Sequence, residues 1–163
     1  MNIRLITCND TEDVINIMME HRIQFPKFII EKYPSRWNEF FKRENDKIGF
    51  YVACDDGESN AVHGYAGYIF NDEVGLYEIV GVAVKKDLQR QGIGKELINT
   101  ICNRVKKMQQ SKIILYTLGH EMNETTLTFY RNIGIDMVSQ DKDFFRSGYN
   151  RVTFIKDLTH YAD

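Results

Sequence analysis

The segment from Leu76 to Met108 constrains this chain more than any other. An apolar run rich in β-branched residues, Leu76 to Val84, is followed by a short charged connection and then by Gln89-Arg90-Gln91-Gly92-Ile93-Gly94. Beyond the glycines, Leu97, Ile98, Ile101, Cys102, Val105 and Met108 form one apolar stripe at helical spacing. The first run has the composition of a strand and the stripe that of an amphipathic helix of about four turns, packed on one side. A strand that enters a helix through two glycines requires an α/β domain. It also leaves the first N–H groups of that helix, starting near Ile93, uncovered by side chains.

Such a loop suits an anion. The free amides and the positive end of the helix dipole favour a phosphate, and the missing side chains at Gly92 and Gly94 permit close approach. Arg90 and Lys95, with Lys85 or Lys86, add positive charge. Two familiar phosphate loops are excluded. A Walker A loop needs glycine five residues before Gly94 and Ser or Thr after Lys95, where Gln89 and Glu96 stand. A dinucleotide fingerprint needs a small residue three positions after Gly94, where Leu97 stands.

Around this unit the chain reads in order. Ile3 to Thr7 alternates as a strand, and Asn9 with Glu12 has capping-box spacing before Val14, Ile17, Met18 and His21 at helical intervals. Pro26 interrupts, and Ser35 opens a further helix carrying Trp37, Phe40 and Phe41. Ile48 to Cys54, His63 to Phe70 and Leu76 to Val84, separated by turn-rich stretches, predict an antiparallel meander. After the long helix come a strand at Ile113 to Thr117 and a helix from Asn123 to Gly134. Two last strands follow near Ile135 to Ser139 and Arg151 to Lys156.

One domain of 163 residues, 43% hydrophobic, can bury a core without metal or disulfide help. Lys and Arg number 21 against 23 Asp and Glu, so the molecule lacks the basic field that holds nucleic acid. No run approaches the roughly 18 apolar residues of a membrane span. Three cysteines, an odd number without metal-type spacing, read as a reducing, cytoplasmic interior, with Cys54 and Cys102 as core atoms. His21, His63, His120 and His160 show no metal spacing and read as surface or packing residues, so no metal is expected.

The stretch Gln89 to Gly94 resembles the Gln/Arg-x-x-Gly-x-Gly/Ala signature of the GCN5-related N-acetyltransferases, the GNAT superfamily. EIVGVAV, Glu78 to Val84, resembles the family's fourth strand. NETTLTFYRNIGI, Asn123 to Ile135, resembles its Asn-x-x-Ala-x-x-Phe-Tyr-x-x-x-Gly-Phe segment, with Thr126 in place of the alanine. Three blocks in the right order cover roughly the second half of the chain. The resemblance implies a mixed, mostly antiparallel sheet of six or seven strands, splayed between the fourth and fifth, flanked by about four helices. It implies acetyl-CoA as cosubstrate, its pyrophosphate held by Gln89, Arg90, Gln91, Gly92, Ile93, Gly94 and Lys95. The pantetheine arm would lie along the backbone of Val82, Ala83 and Val84, beside Asn123 and Phe129.

By the same resemblance Glu78, 11 residues before Gln89, is the candidate general base and Tyr130 the candidate general acid. A carboxylate on an otherwise apolar strand needs a reason, since burial without a partner is costly and raises its pKa. Gly81 within that strand marks either a bulge or a close neighbour. Asn123 is expected both to cap its helix and to touch the cosubstrate. The aromatic segment Phe25, Phe28, Tyr33, Trp37, Phe40 and Phe41, with Tyr65, Tyr68 and Tyr149, lines either a cleft or a core, and a homodimer stays open. Asp72, Glu73 and Glu78 suit a cationic acceptor. Three functions follow: acetylation of a small-molecule amine, acetylation of a protein lysine or N-terminal amine, or a non-catalytic CoA-binding sensor. Glu78 and Tyr130 together argue against the last.

Overall fold

A computed structural model describes residues 1–57 and 59–159. Strand β1 (Asn2–Leu5) leads into helices α1 (Thr11–Met19), α2 (Lys27–Ile30) and α3 (Tyr33–Phe41). A meander of β2 (Gly49–Cys54), β3 (Val62–Asn71) and β4 (Leu76–Val84) follows. Then come α4 (Ile93–Lys107), β5 (Lys112–Gly119), α5 (Glu124–Asn132) and the hairpin β6 (Asp136–Arg146) and β7 (Tyr149–Asp157). One seven-stranded sheet runs in the order β1-β2-β3-β4-β5-β7-β6. All pairs are antiparallel except β4 with β5, which the α4 crossover makes parallel.

The stripe of α4 explains one layer. Leu97, Ile98, Ile101, Cys102 and Val105 are buried against Tyr68, Ile79 and Val82 of the sheet. The opposite face carries Val14, Ile17 and Met18 of α1 and Trp37 of α3 against Phe50, Val52, Tyr65, Val80 and Ala83. Most of the aromatic segment is therefore core: Trp37 Nε1 donates to the Tyr65 hydroxyl at 2.9 Å, and Tyr65 stacks on Phe50 at 6.2 Å.

The sheet opens where the site lies. β4 pairs with β5 only at Tyr77, Glu78 and Ile79, opposite Ile113, Ile114 and Leu115. Beyond them β4 continues along β3 to Val84 and β5 continues along β7 to Gly119, so the two strands part. The register of β3 on β4 slips between Tyr65 and Gly67, which places one extra residue on β4. Gly81 sits there at φ +70, and a Cβ on it would lie 2.7 Å from the Tyr33 hydroxyl. Both readings of this glycine hold. It bends the strand as a bulge does, and it makes room for an aromatic neighbour.

Two caps differ from expectation. At α1 the chain enters the helix at Asp10, not through a box at Asn9. The Asp10 carboxylate turns back instead, accepting from Thr7 N at 2.8 Å and from Arg4 at 2.7 and 3.0 Å. A carboxylate that can hold a guanidinium with two bonds gains more there than from one cap amide. At α5, Asn123 makes no side-chain cap. Its buried amide donates to the Leu118 carbonyl at 2.6 Å and to Thr117 Oγ1 at 3.3 Å, holding the end of β5. The C-terminal end of α5 follows the sequence: Gly134 at φ +83 donates to Arg131 O and Ile135 to Tyr130 O, a Schellman closure.

Candidate active site

Two clefts meet at the opening between β4 and β5. The first, about 200 Å³, runs from the N-terminus of α4 to the free edge of β4 and is lined by Gln89, Arg90, Gly92, Ile93 and Gly94. Gly92 is the N-cap of α4 at φ +83 and Arg90 lies at φ +65, so the loop turns through two left-handed residues as it enters the helix. The helix carries no side-chain cap, and Glu96 N to Gly92 O is its first internal bond, which leaves earlier amides free for an anion. Phe129 walls the groove, and a Cβ on Gly94 would lie 3.1 Å from its ring.

Along the β4 edge the strand's alternation decides which groups are available. Ala83 is paired with Tyr65 of β3, so its backbone turns inward, away from the opening. Val82 and Val84 turn outward. Gln24 Nε2 donates to the Val82 carbonyl at 3.0 Å, and His21 Nε2 donates to the Val84 carbonyl at 2.6 Å. Both side chains come from the segment after α1 and line the first cleft. His21, read from the sequence as a surface or packing residue, is thus packed on β4 in the lining of the first cleft. Its role depends on a strand 63 residues away and left no local signal.

The second cleft, about 670 Å³, lies on the α1–α3 side of the sheet. It is lined by Glu78 and Gly81 of β4, Tyr33 and Arg36 of α3, Tyr116 of β5 and Phe145 of the last hairpin. Asn71 donates to Glu78 Oε1 at 3.1 Å. Burial pushes the Glu78 carboxyl above its ordinary pKa, outweighing Asn71 and the charges of Arg36, Lys32 and Arg151, which pull it down. Tyr130 lines both clefts. It is 3% exposed and its hydroxyl has no hydrogen-bond partner among the described residues. Burial, with Tyr33 nearby, keeps that phenol protonated far beyond neutrality.

Not every expected residue reaches these clefts. Lys95 is exposed on the first turn of α4, and Gln91 is exposed on the loop; neither lines the groove. Asn123 is committed to β5, as above, and Ala83 to β3. Phe25 and Tyr33 line the second cleft, whereas Tyr65 and Trp37 are core, and Tyr68 packs on Tyr77 across the other face. Asp72 and Glu73 line the cleft with Glu78, as do Lys32, Arg36 and Arg151, so both signs of charge face it. Lys32 and Arg36 at the start of α3, Asn71 of β3, Tyr116 of β5 and Arg151 of β7 are brought together only by folding. Of the other histidines, His63 pairs with Asp55 and His120 accepts from Met122 N, while His160 lies outside the described residues. No helix among the described residues is long and apolar enough to cross a membrane.

The sequence pattern of the acetyltransferase (GNAT) family matches residues 14–135, three quarters of the chain, with the whole lining of the first cleft and most of the second. The chain belongs to the GNAT family of acetyltransferases. A GNAT relative from Bacillus subtilis (strain 168), the uncharacterized N-acetyltransferase YvbK, is 32% identical over 77 residues, 47% of this chain and 48% of the relative. The match thus spans about half the length of that curated protein. A Desulfovibrio desulfuricans protein assigned to the GNAT family superposes with a TM-score of 0.83 at 19% identity, over 97% of this chain and 99% of that one. An aminoglycoside 6'-N-acetyltransferase complexed with coenzyme A superposes at 0.71 and 17% identity, over the whole of both chains. At such identities the structures share the GNAT fold, and the acceptor has to be argued from this chain's own cleft.

Proposed function

We propose that this chain transfers the acetyl group of acetyl-CoA to the primary amine of a small molecule, with Glu78 as general base and Tyr130 as general acid. The observation that carries the reading is that the anion-cradling groove and the Glu78 cleft meet at Tyr130, at the bulged end of β4. The groove suits the cosubstrate: uncapped amides of α4 with Arg90 would hold its pyrophosphate, and the outward groups of Val82 and Val84 its pantetheine arm. Acetyl-CoA supplies an activated thioester, whose C–S bond breaks as the amine nitrogen forms the new C–N bond.

The residues of the chain manage the protons. An alkyl amine of pKa about 10.4 is neutral in roughly one part in a few thousand at pH 7, so a base is needed. Glu78 takes the amine proton, directly or through one water, and its raised pKa makes it a better base than an exposed carboxylate. Tyr130 gives its phenolic proton to the departing thiolate and regains one from the nitrogen, which loses its second proton as the amide forms. The N–H of Val82, at the bulge, would face the thioester oxygen as negative charge develops there. A cleft of about 670 Å³ is the size of small-molecule sites.

The test is acetyl-CoA-dependent release of free thiol against a panel of small amines and basic peptides, with calorimetric titration of CoA alongside. Saturable turnover with a small amine supports the reading. Turnover confined to peptides would move the acceptor to protein, and CoA binding without turnover on any acceptor would leave a sensor.

A further inference from the structure

The second cleft holds two opposite charges apart. Glu78 is on β4, and Arg36 is half-buried on α3, lying over the Tyr33 ring at 5.3 Å. Among the described residues neither is in an ion pair, so the two are more than 4.0 Å from each other. The other charged groups of the cleft are spent or peripheral. Arg151 is held by Asp141 at 2.9 and 3.1 Å and wedged against Tyr116 and Phe144. Lys32, Asp72 and Glu73 are exposed at the rim.

Arg36 has no carboxylate within ion-pair distance among the described residues, and its planar paired donors match one. Its position is also specific. Arg36 rests on Tyr33, and the Tyr33 hydroxyl is the atom nearest to where a Cβ of Gly81 would be, at 2.7 Å. Tyr33 thus lies between the cation and the bulge, and Arg36, Gly81 and Glu78 line the same cleft.

We propose that the acceptor is an amino acid, its amine delivered to Glu78 and its carboxylate held by Arg36, so that Arg36 sets substrate specificity. This rests on the acetyl-transfer reading above and narrows its acceptor. A small zwitterion carries an amine for Glu78 and a carboxylate for Arg36, and both side chains line one cleft. A polycation has the right group for Glu78 and the wrong one for Arg36.

The experiment compares matched acceptors that differ only in the anion. L-Phenylalanine and L-leucine are each assayed for thiol release beside their α-amides and decarboxylated amines, and phenylalanine also beside its aminophosphonate. β-Alanine and 4-aminobutyrate, with their methyl esters, cover longer spacings. The amino acids should exceed their amides and amines in kcat/KM by roughly tenfold or more, the size of one charge-assisted contact. Arg36→Gln should erase that ratio and Arg36→Lys restore part of it. A better rate with the phosphonate would mean an anion site not tuned to carboxylate and would overturn the amino-acid assignment. Amides or amines equal to the amino acids in the unsubstituted protein would overturn the proposal while leaving the acetyl-transfer reading intact. If no acceptor turns over, acetyl transfer to these amines fails, and calorimetry of the same acceptors into CoA-saturated protein decides the Arg36 site alone: tighter binding of the acids supports it and equal or absent binding overturns it.

Discussion

Glu78 and Tyr130 show how burial alone can set the chemistry of a side chain. Glu78 has one hydrogen bond, from Asn71, and its raised pKa comes first from lost hydration. The base form exists only above that raised value, so the rate should fall as pH drops through it, with an acidic limb above the ordinary 4.5 of a glutamate. Glu78→Gln should lower kcat about a hundredfold at neutral pH, remove that limb, and recover in part at high pH as the amine deprotonates unaided. A pH–rate profile without these changes would take the role of base from Glu78. The sign for stability is opposite. A carboxyl whose folded pKa is raised binds its proton more tightly when folded, so it favours folding at low pH, and this is lost as pH rises through the folded value. The same variant should therefore be no less stable at neutral pH. Tyr130→Phe removes a hydroxyl that has no hydrogen bond among the described residues. It should leave thermal stability and CoA affinity nearly unchanged and lower kcat at least tenfold; equal losses in affinity and turnover would indicate packing instead.

Two glycines mark the two working elements, and they differ in a way that stability can read. Gly92 and Gly81 both have positive φ, but a Cβ on Gly92 meets nothing within 4 Å while one on Gly81 strikes Tyr33 and Tyr65. Gly92→Ala should cost about 1 kcal/mol of backbone strain, and Gly81→Ala about 3 kcal/mol or more, strain and overpacking together, measured by urea unfolding. Equal costs would mean that the bulge relaxes around the new methyl. At this scale the sequence was legible where its signal is local. The start of α4 at Ile93, the span of β4 and the glycine stop of α5 follow from periodicity and turn chemistry. The far half of β6 did not: the strand runs to Arg146, well past Ser139. It is an edge strand exposed along nearly its whole length, so its residues lack the apolar alternation that marks a half-buried strand.

Across the whole molecule the sheet is anchored by two cores and opened between β4 and β5. A ligand that bridges the opening binds the folded chain only and should stabilise it by mass action. At a hundred times its dissociation constant, CoA should add about 2.7 kcal/mol, or about 5 to 10 °C in Tm for a domain of this size. Arg90→Gln should shrink that shift at equal ligand concentration, and Lys95→Gln, exposed and outside the groove, should change it less. A shift indifferent to Arg90 would separate the loop from CoA.

The amino-acid sequence by itself determined the class of the fold, the order of its elements and the glycine turn that opens α4. Each depends on residues within one turn or one strand of each other, where spacing is geometry. Only the tertiary structure decided which side chains share a cleft. His21 and Gln24 meet carbonyls on β4, Asn123 is drawn to β5 and away from its helix, and Arg36 faces Glu78 across 42 positions of sequence. Those partnerships are set by how the two faces of a splayed sheet are packed, and no pattern local to either partner records them.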